Sequence, residues 1–447
     1  MKLPVQAPQL SDLLGKSADI GWLLSHPVGP EVNGAYLHWD HLRHRPAPEG
    51  MTSEQWWAGV KLTRSGLARA LPLHDKTDRP FSVSLTDTML RKLHFLDREA
   101  AGLILGADQD DDGSIQRKHL LRSLIEEAMT SSQLEGASTT RRVAKELLST
   151  GRAPRDRSEQ MIFNNFATMQ SLAGAREKPL TQGMIFDIHR RLMRDAMDDP
   201  RDIGRFRTAT DDVVAFDKAD PSRVLHIPPA AVELPNRMQA LCDFANDGGE
   251  EAFLHPIVKA IMLHFMIGYD HPFCDGNGRT ARALFYWSML RSGYWLSEYV
   301  SISSVLKRAP EAYVRAYLHS ESDGADASYF VAHQLDVIIN AVNSLRDYLA
   351  RKSKERKRAE TLLRPNSQFG GALNHRQRAL LLHAIRHSDS EYTISRHQAA
   401  QQVTYATARS DLLGLAGLEL LTQYKRGKGY VFRPIADLSK KLNAPNQ

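Results

Sequence analysis

The chain has 447 residues, of which 42% are hydrophobic and 25% are charged, and its formal net charge is +6. This balance is ordinary for a globular protein, and the length predicts roughly two to four domains. Two cysteines are too few for a disulfide framework, and the sequence contains neither a signal segment nor an apolar run of about eighteen residues. The disulfide-rich secreted and membrane-spanning classes are therefore excluded, and we expect a cytoplasmic protein that makes no contact with membranes.

Residues 1–115 carry scattered tryptophans and prolines but no recognisable chemical motif, and they predict a small mixed or helical accessory domain. A helix is expected to start near Ser53. Residues 108–115 have carboxylates at the first, third and fifth positions of an EF-hand loop, followed by a glycine. Because the twelfth position is His119 rather than the glutamate that binds calcium, the segment is interpreted as a solvated acidic linker.

Residues 116–150 are predicted to contain a helix that ends in a turn. Apolar residues between Leu120 and Leu134 recur largely at helical spacing, and Gly136 would end the helix. Glu135 then lies at the negative end of the helix dipole, where a carboxylate is unfavourable. We therefore expect Glu135 to pair with a basic side chain elsewhere in the chain.

Residues 151–328 continue as helices that are interrupted by a predicted β-hairpin. Two short apolar runs, 213–216 and 224–229, flank a polar turn that contains a proline. The pattern alone is that of a structural hairpin. The first run consists of Val213, Val214, Ala215 and Phe216.

The densest chemistry lies in residues 271–282, whose sequence is HPFCDGNGRTAR. Gly276 and Gly278 allow positive φ and a close approach of backbone N–H groups to a ligand. A helix that starts near Gly278 would direct its positive end at the same place, which makes an anion cradle. Arg279 and Arg282 lie on one face of that first turn, and their guanidinium groups suit bidentate contact with phosphate.

Two further side chains of this loop carry chemistry. Asp275 offers the oxygen ligand that Mg²⁺ prefers when it shares phosphate oxygens. His271 titrates close to neutrality, so it is the candidate base for activating an attacking hydroxyl. The loop therefore predicts a site for Mg²⁺ and phosphate groups with a basic catalyst beside it.

Residues 329–373 are predicted to form a long polar helix and a linker, and residues 374–435 a winged-helix domain, in which helices precede a two-stranded hairpin. Thr404 is the expected N-cap of the recognition helix. An excess of basic residues between positions 370 and 433 makes DNA a candidate partner through residues 404–428. Winged helices also dock proteins or form dimers, so a protein partner or a homodimer stays open.

The loop resembles the signature of the Fic family, His-x-Phe-x-(Asp/Glu)-Gly-Asn-Gly-Arg-x-x-Arg, and matches it at every specified position. The resemblance implies a mainly α fold, in which a Fic helical bundle carries a β-hairpin flap, and transfer of AMP from ATP to a protein hydroxyl. It implies His271 as general base, Asp275 as Mg²⁺ ligand and Arg282 at the γ-phosphate. The nucleotide-binding residues that it implies are Asp275, Gly276, Asn277, Gly278, Arg279, Thr280, Ala281 and Arg282.

Three features outside the loop also resemble the family. Ser131, Glu135 and Gly136 match its inhibitory motif, (Ser/Thr)-x-x-x-Glu-(Gly/Asn), in which the glutamate pairs with the second arginine of the loop, here Arg282. The predicted hairpin resembles the flap that aligns a target segment by strand addition. Tyr313 occupies the place of the adenine pocket, although the family often has a second tyrosine directly before it.

The sequence thus predicts an autoinhibited protein adenylyltransferase that acts on a Tyr, Thr or Ser hydroxyl of an unidentified target protein, with ATP as substrate and Mg²⁺ as cofactor. A DNA-binding regulator with a nucleotide-sensing or silent Fic core is the alternative. Removal of AMP at the same site, with Glu135 orienting a water molecule, also stays open.

Overall fold

The computed structural model describes residues 2–15, 19–100, 114–211, 213–217, 220–247, 253–362, 372–387, 389–401, 403–427 and 429–443. The chain divides into two compact units, Met1–Leu345 and Arg346–Gln447. Residues 108–113, the acidic stretch that resembles a calcium loop, lie outside the described residues. None of the helices in the described part combines the length and apolarity needed to cross a membrane.

The first hundred residues form short helices around one hairpin. The elements are α1 (Leu10–Leu13), α2 (Ile20–Ser25), α3 (Trp39–Leu42), α4 (Ser53–Leu67), β1 (Ala68–His74), β2 (Pro80–Ser84) and α5 (Asp87–Ala100). The helix expected near Ser53 begins there because Thr52 and Gln55 form a capping box, in which each side chain bonds the other residue's backbone N–H. The fully buried Trp57 of α4 anchors an apolar cluster beneath these helices.

The rest of the first unit is a helical bundle with a second hairpin. Its elements are α6 (Ser114–Leu134), α7 (Arg141–Thr150), α8 (Arg157–Ala175), α9 (Gln182–Met193), β3 (Ala215–Asp217), β4 (Asp220–His226), α10 (Leu234–Asn246), α11 (Pro256–Asp270), α12 (Asn277–Arg291), α13 (Ile302–Leu306), α14 (Pro310–Ser322) and α15 (Ser328–Leu362), the last of which continues into the second unit. The mainly α prediction with a hairpin flap is confirmed.

Helices α11 and α12 form the centre of this bundle. Both are buried around nearly their whole circumference, as expected for the mostly apolar α11, whereas α12 also buries polar and charged side chains in its first turns. They pack against each other, and α12 also contacts α6, α8 and α9. The turn between them, which carries the loop 271–276, is therefore held between rigid elements.

A buried polar network joins the N-terminal helices to α14 and α15. Arg64 of α4 is 2% exposed and donates to the hydroxyl of Tyr329 at 2.8 Å and to the carbonyl of Leu37 at 2.9 Å. The Tyr329 hydroxyl donates to Asp323, which also pairs with Lys61 at 2.9 Å. A buried guanidinium is stable only when its donors are satisfied, so this network fixes the N-terminal helices within the same compact unit as the bundle.

The hairpin differs in extent from the predicted one. Val213 and Val214 were expected in the first strand, but β3 begins only at Ala215. The register between β3 and β4 shifts on both sides of Phe216, so only a short ladder forms. The flap is therefore a three-residue strand paired with a longer one.

The second unit has the predicted order of elements after the end of α15. They are α16 (His375–Arg386), β5 (Tyr392–Thr393), α17 (Ile394–Gln401), α18 (Tyr405–Gly417), β6 (Leu421–Arg426), β7 (Gly429–Pro434) and α19 (Leu438–Asn443). The three strands form an antiparallel sheet in the order β5-β7-β6. Thr404 caps α18, as expected, through its hydroxyl and the Thr407 N–H. The prediction did not include α19, whose Leu438 and Leu442 close the core of this unit.

Candidate active site

The loop between α11 and α12 is shaped by its own residues. Helix α11 ends at Asp270, followed by His271 with a left-handed φ of +43°. Helix α12 begins after Gly276, whose φ of +83° favours glycine. The Asn277 side chain closes the loop, since its oxygen accepts from the Phe273 N–H and its amide donates to the Phe273 carbonyl. The Phe273 ring is fully buried and stacks on His189 at 3.8 Å.

His271 has the hydrogen bonding of a general base. Its Nδ1 lies 2.5 Å from the Gly268 carbonyl, which can only accept, so Nδ1 carries the hydrogen and Nε2 is left as a proton acceptor. Burial, followed by the interaction with the nearby His226, lowers the pKa of His271 to about 4. The imidazole is therefore neutral at physiological pH.

Arg279 is a buried cation with free donors. Its side chain is 1% exposed, and its Nη2 makes only long contacts with Asp275, at 3.4 and 3.5 Å. Its Nε and Nη1 have no hydrogen-bond partner among the described residues. Because unpaired donors on a buried charge are costly, this geometry fits an anionic ligand at the start of α12.

Asp275 can hold a cation at the same place. One carboxylate oxygen accepts from the Gly276 N–H at 2.5 Å, and 44% of the side chain is exposed. Its second oxygen lies 4.0 Å from Arg157 Nη2. A single partly exposed carboxylate beside a phosphate cradle is what Mg²⁺ requires when the remaining ligands are water and phosphate oxygens.

Glu135 reaches the cradle from α6. Its Oε1 accepts from Arg282 Nη2 at 2.7 Å, and Arg282 also donates through Nε to the Ser131 hydroxyl at 2.8 Å. A Cβ on Gly278 would collide with the Glu135 carboxylate, so that carboxylate lies directly over the first turn of α12. The turn at Gly136, with φ of +98°, follows it. The structure thus brings together the expected pair, with a protein carboxylate at the anion cradle.

Tyr313 lies beside this site on α14. Its hydroxyl is 2.8 Å from Nε2 of His264, which is fully buried. Burial lowers the pKa of His264 well below its usual value. The Arg282 guanidinium interacts with the Tyr313 hydroxyl, which places the tyrosine next to the predicted γ-phosphate position.

Sequence reasoning missed three residues that hold the loop. His189 of α9 contacts the Asp275 carbonyl through Nε2 at 2.9 Å and accepts from the Gly204 N–H through Nδ1. Arg207 and His226 bond the backbone around His271. These contacts involve backbone atoms, so no side-chain motif could have indicated them.

Buried histidines make the fold sensitive to acid. Burial lowers the pKa of His271 and His189 to about 4, and that of the stacked pair His38 and His319 to about 3. In the unfolded chain their pKa is about 6.5. Below pH 6.5 the unfolded chain therefore binds more protons, and the free energy of unfolding is expected to fall by about 1.4 kcal/mol per pH unit for each such proton.

Thermal melting between pH 7.5 and 4.5 measures this dependence. His319→Phe keeps the stacked ring and is expected to reduce the loss of Tm on acidification, whereas His44→Phe, at an exposed position, leaves it unchanged. A Tm that stays constant from pH 7 to pH 5 would contradict the expected proton uptake.

The part of the chain that carries this loop is similar to known proteins. Residues 179–289, which include α9 to most of α12, match the model of the Fic/DOC family. The protein adenylyltransferase Fic of Nematostella vectensis is 36% identical over 119 residues, which are 27% of this chain and 25% of that protein. The protein adenylyltransferase fic-1 of Caenorhabditis elegans is 26% identical over 243 residues, 51% of this chain and 42% of that protein. The chain thus spans less than half the length of these curated relatives.

The fold comparison agrees with the family match. The crystal structure of a Fic family protein from Desulfovibrio desulfuricans G20 is similar over 78% of this chain and 95% of that one, with a TM-score of 0.51 and 22% identity. At this identity the likeness concerns the fold. The segment that matches the Fic/DOC family contains the loop 271–282, whereas Glu135 and Tyr313 lie outside it.

Proposed function

We propose that this protein is an autoinhibited protein adenylyltransferase that transfers AMP from ATP to a Tyr, Thr or Ser hydroxyl of another protein. The buried Arg279, with two guanidinium nitrogens unpaired among the described residues, carries the proposal. It lies at the positive end of α12 beside a partly exposed Asp275, and the same loop carries a neutral His271. The names of the curated relatives, which are protein adenylyltransferases, support the same chemistry.

The reaction follows from the positions of these groups. The acceptor hydroxyl attacks the α-phosphorus in line, its proton passes to Nε2 of His271, and the bond to pyrophosphate breaks. Arg279 and the N–H groups at the start of α12 bind phosphate oxygens and stabilise the developing charge. Asp275 would hold Mg²⁺, which neutralises phosphate charge when bound.

The flap is the proposed docking site for the target. Phe216 is 51% exposed, and Val224 and Ile227 on the same hairpin are also exposed. The sheet has two strands in the described part of the chain, which leaves β3 with an edge for strand addition. A target segment paired with Ala215 and Phe216 would be held by its backbone, with apolar contacts to Val213, Val214 or Val224.

The Glu135 carboxylate is the proposed inhibitor. It neutralises Arg282 and lies over Gly278, where the phosphates of ATP would approach the helix. With this pair closed, the γ-phosphate loses its cation and the triphosphate is expected to bind in a non-productive pose. The activating signal would then be any event that withdraws α6.

Labelled nucleotides test the transferred group. Glu135→Gly protein is incubated with a bacterial lysate and ATP labelled at either the α- or the γ-phosphate. Protein bands are expected to acquire the α label only, and to lose it when EDTA removes divalent cations. Incorporation of the γ label would show phosphate transfer and would refute the proposal.

DNA binding by the second unit is a second candidate function. Helix α18 exposes Tyr405 and Arg409 at its N-terminal part, and Lys425 lies exposed at the end of β6. This arrangement suits a helix in the major groove and a basic hairpin on phosphates. Fluorescence anisotropy of labelled duplex DNA should then show an affinity that falls with salt and with Arg409→Ala, but not with Lys440→Ala. A DNA affinity that does not change with salt concentration, or dimerisation of the protein without DNA binding, would reject DNA binding as a function of the second unit.

A further inference from the structure

The backbone on both sides of His271 is bonded by two residues that flank the flap. Arg207 precedes the hairpin, and His226 is the last residue of β4. Together they donate to each carbonyl group of residues 269–272. The contacts are His226 Nε2 to Tyr269 O at 2.7 Å, Arg207 Nη2 to Asp270 O at 3.3 Å, Arg207 Nε to His271 O at 2.7 Å, and Arg207 N to Pro272 O at 2.9 Å.

Arg207 also reaches the far side of the flap. Its Nη2 donates to the carbonyl of Pro229 at 2.5 Å, three residues after β4 ends. The side chain is buried, and its contacts are with backbone carbonyls rather than with a carboxylate. One planar guanidinium thus connects the exit of the flap to the carbonyl of His271, which a point charge such as lysine cannot reproduce.

His226 is held from two sides. Its Nε2 faces the Tyr269 carbonyl and its Nδ1 lies 2.8 Å from Glu321 Oε2 on α14. A carbonyl and a carboxylate both accept, so both contacts are hydrogen bonds only when both ring nitrogens carry hydrogen. The ring of His226 is 6.3 Å from that of His271.

These contacts stabilise a backbone conformation at His271 that is unfavourable for a residue with a side chain. His271 has a φ of +43°, in the left-handed region that costs a residue with a Cβ roughly 1–2 kcal/mol. Such a conformation persists where its surroundings determine it. The carbonyl bonds from Arg207 and His226 supply that constraint on the residues that precede and follow the strained position.

We propose that Arg207 and His226 are positioning residues, which couple the flap to His271 so that the placement of the flap sets the direction of Nε2 toward the acceptor hydroxyl. The inference rests on the proposed role of His271 as base. Neither residue belongs to the phosphate cradle, since their described contacts are with the flap, with the backbone of residues 269–272 and with Glu321.

The effect of His226 on the pKa of His271 gives a second readout. The groups that face His271 are His226 from β4, Arg207 from the segment before the flap, Glu135 from α6 and the Gly268 carbonyl of α11. Burial is the largest cause of the low pKa of His271, followed by His226, while the Gly268 carbonyl and Glu135 act in the opposite direction. His226→Gln keeps a donor for the Tyr269 carbonyl but removes the imidazole whose interaction lowers the pKa of His271, so that pKa should rise.

The kinetic test uses the Glu135→Gly protein as background. Arg207→Lys is expected to lower kcat for AMP transfer by about 10–100-fold, because a small misplacement of a base has effects of this size, and to leave KM for ATP within about twofold. Arg205→Lys is the matched control, since Arg205 pairs with Asp211 at 2.9 Å and with Asp202 rather than with the loop. A general loss of folding would lower Tm and change both parameters.

The second test does not need activity. Histidine labelled with ¹³C is followed by NMR during a pH titration, and the signal that is missing in His271→Ala identifies His271. In His226→Gln its midpoint is expected to move upward by up to about one pH unit. If Glu135→Gly transfers no AMP, the proposed function fails and this titration alone decides the coupling. An unchanged midpoint, or equal kcat in Arg207→Lys and Arg205→Lys, overturns the inference.

Discussion

His271→Ala in the Glu135→Gly background is expected to lower the rate of AMP transfer by about 10²–10⁴-fold, the usual contribution of a general base. The hydroxyl would lose its proton acceptor, because the Nδ1 contact with Gly268 makes Nε2 the accepting nitrogen in the present chain. Arg279 and the start of α12 would remain in place, so ATP should bind with nearly unchanged affinity.

Initial rates with labelled ATP and a fluorescent nucleotide titration separate these two effects. The control is His94→Ala, at an exposed position on α5, which should retain the full rate. Since burial lowers the pKa of His271 to about 4, the rate of the background protein should vary little between pH 6 and pH 8. If His271→Ala transferred AMP at nearly the rate of the Glu135→Gly background, His271 would not be the general base.

Glu135→Gly is expected to raise AMP transfer at least about tenfold over the parent chain, as loss of one buried charge pair changes an equilibrium by a kilocalorie or more. Arg282 is 2% exposed and its Nη2 has Glu135 as its charged partner at 2.7 Å. Removal of the carboxylate frees the cation for the γ-phosphate. It also leaves a buried charge uncompensated, so the Tm of the variant should fall without ATP and rise more than that of the parent when ATP is added.

Glu135→Gln and Glu126→Gln make a matched pair for this prediction. Both lie on α6 or directly after it, but Glu126 pairs with a largely exposed Arg141 on the surface. Only the change at Glu135 should raise transfer, because exposed pairs contribute little and lie away from the cradle. Equal rates in the parent, Glu135→Gln and Glu135→Gly would reject the inhibitory role of Glu135.

The loop could be predicted from the sequence because its functional residues follow one another in the chain. Residues 271–282 supply base, carboxylate, glycines and arginines within one turn and the start of one helix, and local rules describe such a segment. The partnership of Glu135 with Arg282 spans 147 positions, and it was anticipated through a family motif rather than through local pattern.

The supports of the loop could not be predicted in the same way. Arg207 and His189 contact backbone carbonyls, which every residue has. Nothing in the sequence therefore distinguishes them from other polar residues. Arg64 looks like a surface arginine on α4 but is buried against Tyr329, 265 positions away. The irregular strand pairing around Phe216 arises from register shifts that propensity does not encode.

The most direct test of the central claim is the intact mass of the purified protein after incubation with ATP and Mg²⁺, in the parent, in Glu135→Gly and in the double variant that also carries His271→Ala. We predict that Glu135→Gly gains one or more AMP units, or transfers them to added lysate proteins, and that the double variant and the parent gain far fewer. Absence of AMP from both the variant and the lysate proteins, or equal labelling in all three forms, would contradict the account.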